Sequence, residues 1–401
     1  MTTELRRTAL HAAHEAAGAR FTDFGGWDMP LRYASELAEH EAVRTAAGLF
    51  DLSHMGEVWV TGPDAATGLN SVLAGNLAVI KVGKAKYSLS LDEDGGIIDD
   101  LIVYRLAEDR YLVVPNAGNA EAVTAELQRV LVDSGNFDVT LDDATARTSL
   151  LAVQGPASEQ IVARLLTSEA DHQALAELRY YAALELDLAV SVNAAGEPSD
   201  VTFPVLVART GYTGEDGFEL ILDPAHPRAT EAGADAEAVP SQLWDALLAV
   251  GEADQLIPCG LAARDSLRLE AGMPLYGNEL SRDRTPFDAG LGPVVSFKKT
   301  EDFPGRSALE PLRDQPSAWR LIGLQGLERR AARPGSAILI NGESAGEVTS
   351  GLPSPTLGYP IALGYVSTEA AAGVEPDTEL TVDIRGKAHP FRVVQLPFYT
   401  R

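Results

Sequence analysis

The chain of 401 residues contains one cysteine, Cys259, which excludes an intramolecular disulfide and a cysteine-based zinc site. It lies in the apolar run L-I-P-C-G-L-A-A, where a thiol reads as a small buried hydrophobe rather than a nucleophile. Basic residues are scarce: 32 Lys and Arg face 58 Asp and Glu, a formal charge of −26. Binding to a phosphate backbone depends on cations that displace counterions, so this balance argues against a nucleic-acid or anionic-membrane partner. No apolar run approaches the roughly 20 residues that cross a bilayer. The opening M-T-T-E-L-R-R-T-A-L-H lacks the apolar core of a secretory leader, so a cytoplasmic location is expected. Also missing are G-x-G-x-x-G at a strand–helix junction, G-x-x-x-x-G-K-[ST], H-E-x-x-H and G-x-S-x-G, the fingerprints of dinucleotide, nucleotide-triphosphate, zinc-protease and hydrolase sites. His11 and His14 stand at i,i+3, but nothing nearby completes a ligand set, so no metal is expected.

What is present is an ordinary globular balance, 45% apolar and 22% charged, in a chain long enough for two or three domains. Residues 3–19 read as a helix, 23–33 as turn-rich, and 34–48 as a second helix with Gly48 as its C-terminal cap. Strands follow at 49–62, 85–91 and 96–106, with a short helix at 64–73 between them; then come a strand at 110–116 and a helix at 119–131. The mixture repeats with a strand at 148–154, a helix at 157–168, and strands near 186–192, 203–208 and 217–222. Without a strict β-α-β rhythm the body reads as α+β rather than doubly wound. The stretches 193–200 and 225–240 read as surface insertions. Beyond about 305 short strands with Gly/Asn turns predict a separate β-barrel or sandwich, dividing the chain into 1–305 and 306–401.

Three segments carry candidate chemistry. In G-G-I-I-D-D-L-I-V-Y, strand alternation puts Asp100, Ile102 and Tyr104 on one face and Asp99 on the other. A carboxylate in an apolar strand costs several kcal/mol unless it is bonded or serves a site. Asp99, nearer the turn, is as well explained by capping Gly95–Gly96; Asp100, deeper in the strand, points to function. In R-T-G-Y-T-G-E-D-G-F-E-L, three glycines in seven residues describe a loop whose backbone approaches a ligand, and Glu219 is the acid committed to the strand. Such a carboxylate can accept two parallel N–H bonds from an amidine-like group. In G-L-A-A-R-D-S-L-R-L-E-A-G, Arg264 and Arg268 share a helical face with Asp265 elsewhere, so one arginine could pin a ligand carboxylate or carbonyl.

These segments, with F-D-L-S-H-M at 50–55, L-x-x-Q-G-P at 151–156 and T-S-G-x-P-S-P at 349–355, resemble the T-protein family of the glycine cleavage system, in order from about residue 6 to the end. The resemblance implies an α+β fold in a three-domain cloverleaf around a central folate channel, two interleaved α+β domains plus a C-terminal β-barrel. It implies an aminomethyltransferase that uses tetrahydrofolate as one-carbon acceptor and the lipoylated H-protein as partner. Asp100 then matches the essential acid, and Glu219 and Arg264 match folate contacts. Tyr87, Tyr104, Asn116 and Tyr212 match pocket-lining positions, and Tyr399 matches an aromatic near the family's C-terminus. The insertions are longer than usual but fall between motifs. Lys81, Lys84 and Lys86 form the densest positive cluster, a candidate receiver of a folate polyglutamate tail or an acidic H-protein face. Two rivals share the fold: a folate-dependent demethylase with another methyl donor, and a non-enzymatic folate-binding iron–sulfur assembly factor. The K-G-C-[YF]-x-G-Q-E motif typical of the latter is missing.

Overall fold

The computed structural model describes residues 4–193, 195–229, 235 and 237–401. The expected helix over 3–19 is a short one, α1 (His11–Ala16). The backbone before it is claimed by a neighbour: Arg6 N donates to Gly26 O at 3.0 Å and Asp28 N to Arg6 O at 2.8 Å. That neighbour is a hairpin, β1 (Arg20–Phe24) and β2 (Trp27–Arg32), in the stretch expected to be turns. Gly25 and Gly26 close it with φ of 59° and 84°, the two-residue turn whose twist suits paired strands. Helix α2 (Glu36–Thr45) starts at Ser35, whose hydroxyl accepts from Ala38 N, and stops at Ala46. Gly48 is therefore no cap. It lies inside β3 (Ala47–Asp51), where a Cβ would come within 2.5 Å of Val43 Cγ2 and 2.6 Å of buried Cys259 Sγ.

The chain then leaves β3 to build a five-stranded antiparallel sheet from β4 (Val58–Thr61), β5 (Lys84–Leu91), β6 (Ile97–Ala107), β7 (Arg110–Val114) and β8 (Thr140–Asp143), in the order β5-β6-β7-β4-β8. Helices α3 (Ala65–Asn70) and α4 (Ala120–Leu127) cover one face, where Leu69, Val123 and Leu127 meet Val60, Leu101, Val103 and Val113. The chain returns to β3 and completes a six-stranded sheet with β9 (Ser149–Gln154), β10 (Ala183–Ala189), β11 (Thr202–Ala208), β12 (Gly217–Leu222) and β13 (Leu256–Pro258), ordered β10-β11-β12-β9-β3-β13. Helices α5 (Ser158–Ala163), α6 (Glu169–Glu177) and α7 (Val239–Gly251) accompany it, and α8 (Leu261–Glu270) follows β13. The helix expected over 157–168 is the shorter α5, and Ser168, accepting from Asp171 N, starts a further helix that was not expected. Helix α7 was not expected; its buried Leu243, Trp244 and Leu247 join the core beneath the six-stranded sheet. Of the two expected insertions, residues 194, 230–234 and 236 lie outside the described residues.

The inner faces of the two sheets meet. Trp59, Tyr104, Leu112 and Val114 of one pack with Phe50, Leu150, Leu206 and Ile221 of the other. Beyond them β14 (Trp319–Gly326), β15 (Ala337–Ile340), β16 (Glu343–Pro353), β17 (Pro360–Ser367), β18 (Glu379–Asp383) and β19 (Ala388–Val394) close a six-stranded barrel. It is fastened to α8 by Arg268, which is 1% exposed and donates to Ser350 Oγ at 2.7 Å, Glu279 Oε2 at 2.9 Å and Asp265 Oδ1 at 2.8 Å. Asp265 therefore pairs with this arginine instead of facing elsewhere. The architecture is α+β: two interleaved lobes and a barrel around a central cavity. No helix among the described residues is long and apolar enough to cross a membrane.

Candidate active site

A cavity of about 280 Å³ opens between the two sheets, bounded by β6, β12, the start of α8 and the segment Met273–Tyr276. Strand alternation determines what β6 contributes: Asp100, Ile102 and Tyr104 line the cavity, while Asp99 is fully buried on the other face. Asp100 Oδ2 accepts from Tyr87 Oη at 3.0 Å, and its Oδ1 accepts from Asn116 Nδ2 at 2.9 Å. Asp99 accepts from Asn116 N and Nδ2, each at 2.9 Å, and from Asn119 Nδ2 at 2.7 Å. Asp99 thus caps no turn. That task falls to Asp92, whose Oδ1 accepts from Gly96 N at 2.8 Å and Asp94 N at 3.1 Å.

Asp100 is half-buried, facing the cavity, and the loss of bulk solvation around its carboxyl lifts its pKa to about 6. Burial lifts Asp99 to about 7, with the charge of Asp100 adding to the effect. Near neutral pH Asp100 is therefore mainly ionised, while Asp99 keeps its proton to higher pH than Asp100. Burial holds the Tyr87 phenol well above its ordinary value, so it remains a donor to Asp100.

Facing this pair across the cavity, Glu219 sits on β12, a central strand of its sheet. Its Oε2 accepts from Tyr104 Oη at 3.2 Å and from Thr210 Oγ1, while Oε1 has no protein donor among the described residues. Arg264 emerges from the first turn of α8 with its guanidinium carbon 4.8 Å from the Tyr212 ring centroid. No side-chain hydrogen bond ties it to the protein among the described residues, although burial disfavours its charge and lowers its pKa. An enclosed guanidinium without an acceptor is a fork awaiting one. Tyr212 is fixed by donating to Pro274 O. The glycines of its loop serve packing as well as approach: a Cβ on Gly211 would lie 2.1 Å from Gln154 Oε1, and one on Gly217 2.5 Å from Gln154 Nε2.

Seven candidates from the sequence thus converge: Asp100, Glu219, Arg264, Tyr87, Tyr104, Asn116 and Tyr212 all line one cavity. Tyr399 does not. Its hydroxyl donates to Glu215 Oε1 at 2.8 Å and its ring lies under the Arg44 guanidinium at 4.1 Å, in an ion cluster behind the loop. The lysines are also elsewhere: Lys86 Nζ donates to Asn76 O at 3.1 Å, and Lys81 is exposed. Sequence reasoning missed Phe24, His54, Met55, Tyr181 and Leu291, which also line the cavity. Tyr181 takes a φ of 56°, which no residue type signals, and His54 lay unremarked inside F-D-L-S-H-M.

The two sheets thus present strand-borne acids, Asp100 and Glu219, to one cavity. Residues 10–299 match the GCVT N-terminal domain, and residues 320–400 match the glycine cleavage T-protein C-terminal barrel domain. An aminomethyltransferase of Streptomyces coelicolor is 52% identical across 100% of this chain and 99% of its own length. One from Cutibacterium acnes is 50% identical across the full length of both. The crystal structure of the glycine cleavage system aminomethyltransferase T from Bartonella henselae superposes with a TM-score of 0.82 at 36% identity, over 98% of each chain. The chain belongs to the glycine cleavage T-protein family, and its activity is that of an aminomethyltransferase of that system.

Proposed function

We propose that the central cavity binds tetrahydrofolate and that the chain transfers to it the methylene of S-aminomethyl-dihydrolipoyl H-protein, forming 5,10-methylenetetrahydrofolate and releasing ammonia and the dihydrolipoyl arm with its thiol restored. Tetrahydrofolate supplies the nitrogen nucleophiles that take up the carbon. The observation that carries the reading is the complement of unused groups in one cavity: Glu219 Oε1 and the Arg264 guanidinium have no protein partners among the described residues, and Asp100 stands ionised nearby. A carboxylate beside a donor-poor wall suits the 2-amino end of a pterin, and a free guanidinium suits a carbonyl or carboxylate of the same molecule.

In this assignment Glu219, held by Tyr104 and Thr210, fixes the ring's orientation. Tyr212 and Arg264 flank the ligand, while Tyr87 and Asn116 aim Asp100 at the reacting end. Positioning supplies much of the rate in such a reaction, since the nucleophile needs no activation by a covalent enzyme group. Asp100, ionised above about pH 6, stabilises developing positive charge and accepts a proton. We assign residues 1–305 to this chemistry and 306–401 to the barrel that closes the lobes through Arg268. Tetrahydrofolate titrated into the protein tests the reading. Thermal stabilisation that is lost in Glu219→Gln supports it, and no stabilisation at saturating concentrations counts against it.

A further inference from the structure

Two polar wall residues of the cavity, His54 and Tyr181, have no role in folate binding as assigned, and of the two only His54 carries an enclosed, unpartnered polar atom among the described residues. His54 lies in the turn between β3 and β4, is 2% exposed, and lines the cavity with Met55. Tyr87, Tyr104, Asn116, Tyr212 and Tyr276 each donate to a protein acceptor. Neither ring nitrogen of His54 has a protein partner among the described residues, and Nδ1 is enclosed. The Phe24 ring meets it edge-on at 5.4 Å between centroids, which fixes the plane of the imidazole without satisfying either nitrogen. Buried side-chain polar atoms are rarely left in this state, because an unmade hydrogen bond carries the whole desolvation penalty.

We propose that His54 is a ligand-contacting residue, its imidazole hydrogen-bonding, together with Arg264, the polar edge of the folate pterin ring. This rests on the assignment of the cavity to tetrahydrofolate. Burial disfavours a second proton and outweighs the charge of Asp51, and with the Arg264 guanidinium adding to it the ring's pKa is held down to about 4. The imidazole is thus neutral at working pH and presents one N–H donor and one acceptor. Because Nδ1 is enclosed, Nε2 is the nitrogen that meets the ligand, and as the acceptor it suits an N–H on an edge whose carbonyl faces Arg264. Arg264 offers donors only, so the acceptor must come from a group such as His54.

The test uses full-length protein labelled with ¹⁵N at its 7 histidines, one of them identified through His54→Gln. Adding tetrahydrofolate should move the ring-nitrogen signals of His54 and settle them in one tautomer. The dissociation constant should rise about three- to tenfold in His54→Leu and recover most of that in His54→Gln, whose amide again offers a donor and an acceptor. The KM for aminomethylated H-protein should stay unchanged. A histidine present only to pack against Phe24 gives the opposite result: unmoved ring signals on folate binding and an affinity within twofold of wild type in His54→Leu. Should His54→Leu fail to fold, the ring signals of the wild type still decide. Wild-type protein that binds no tetrahydrofolate overturns both this assignment and the one beneath it.

Discussion

Asp100→Asn should lower activity and raise stability at once, a combination that a merely structural aspartate does not produce. The substitution preserves shape. Asp100 Oδ1 faces the Asn116 amide at 2.9 Å and Oδ2 faces the Tyr87 hydroxyl at 3.0 Å. In the variant the amide oxygen must face Asn116, since two NH₂ groups cannot bond to each other, and the new NH₂ meets Tyr87, whose hydroxyl turns to accept. No hydrogen bond is lost; only the carboxylate is. A positioned acid or base is worth about 10²- to 10⁴-fold in rate, so kcat should drop at least about 100-fold. Stability moves the other way. The folded pKa of about 6 lies above the ordinary carboxyl value, so the native chain holds a proton that the unfolded chain has released. Wild-type stability therefore falls as pH rises from about 4 to about 6, and the deficit is full above that. Two pKa units correspond to about 3 kcal/mol, which solvent screening of a half-buried group reduces to about 1–2 kcal/mol. Removing the charge also relieves Asp99, which Asp100 helps to lift. Thermal unfolding should show Asp100→Asn melting above wild type at pH 7.5, with the gap closing near pH 4. Near-wild-type turnover with normal folate affinity, or a lower melting temperature at pH 7.5, would refute the argument.

Three further expectations follow from the same geometry. Glu219→Gln keeps an acceptor for Tyr104 and Thr210 but loses the charge, so calorimetric titration should show folate binding weakened about 10- to 100-fold with the fold intact. The two arginines of α8 should behave oppositely: Arg264→Lys, which breaks no protein hydrogen bond, should lose about tenfold in folate affinity at unchanged stability. Arg268→Met strands buried Glu279 and should destabilise by about 3–5 kcal/mol in denaturant unfolding. Gly96→Ala would set a Cβ 2.1 Å from Arg282 O, so the β5–β6 turn must shift; a loss of about 1–3 kcal/mol is expected in the same measurement.

The site was legible wherever strand periodicity alone decides a direction. Alternation along β6 separated Asp100 from Asp99 correctly, and Glu219 projects into the cavity because its strand is regular. The barrel was legible too, since short strands with turn signals leave few alternatives. What failed was whatever depends on a distant partner. The residues before α1 were lost to a hairpin about twenty positions on, and Gly48 is glycine because Cys259 packs over it. The role of Asp99 was hidden for the same reason: its donors, Asn116 and Asn119, lie on the far side of another strand. Tyr399 matched a motif by order along the chain, yet its hydroxyl is spent on Glu215. His54 had no periodicity to betray it, because it sits in a turn whose geometry comes from Asp51 accepting from Ser53 N.

The central claim is that this chain joins the aminomethyl carbon of a lipoyl arm to tetrahydrofolate. The most direct measurement is a single assay with purified protein, aminomethylated H-protein and tetrahydrofolate, following ammonia and 5,10-methylenetetrahydrofolate together. Both products should appear in equal amounts, neither should accumulate appreciably without folate, and Asp100→Asn should nearly abolish both. Unchanged product formation in Asp100→Asn, or one-carbon transfer from a free methylamine donor but not from H-protein, would contradict it.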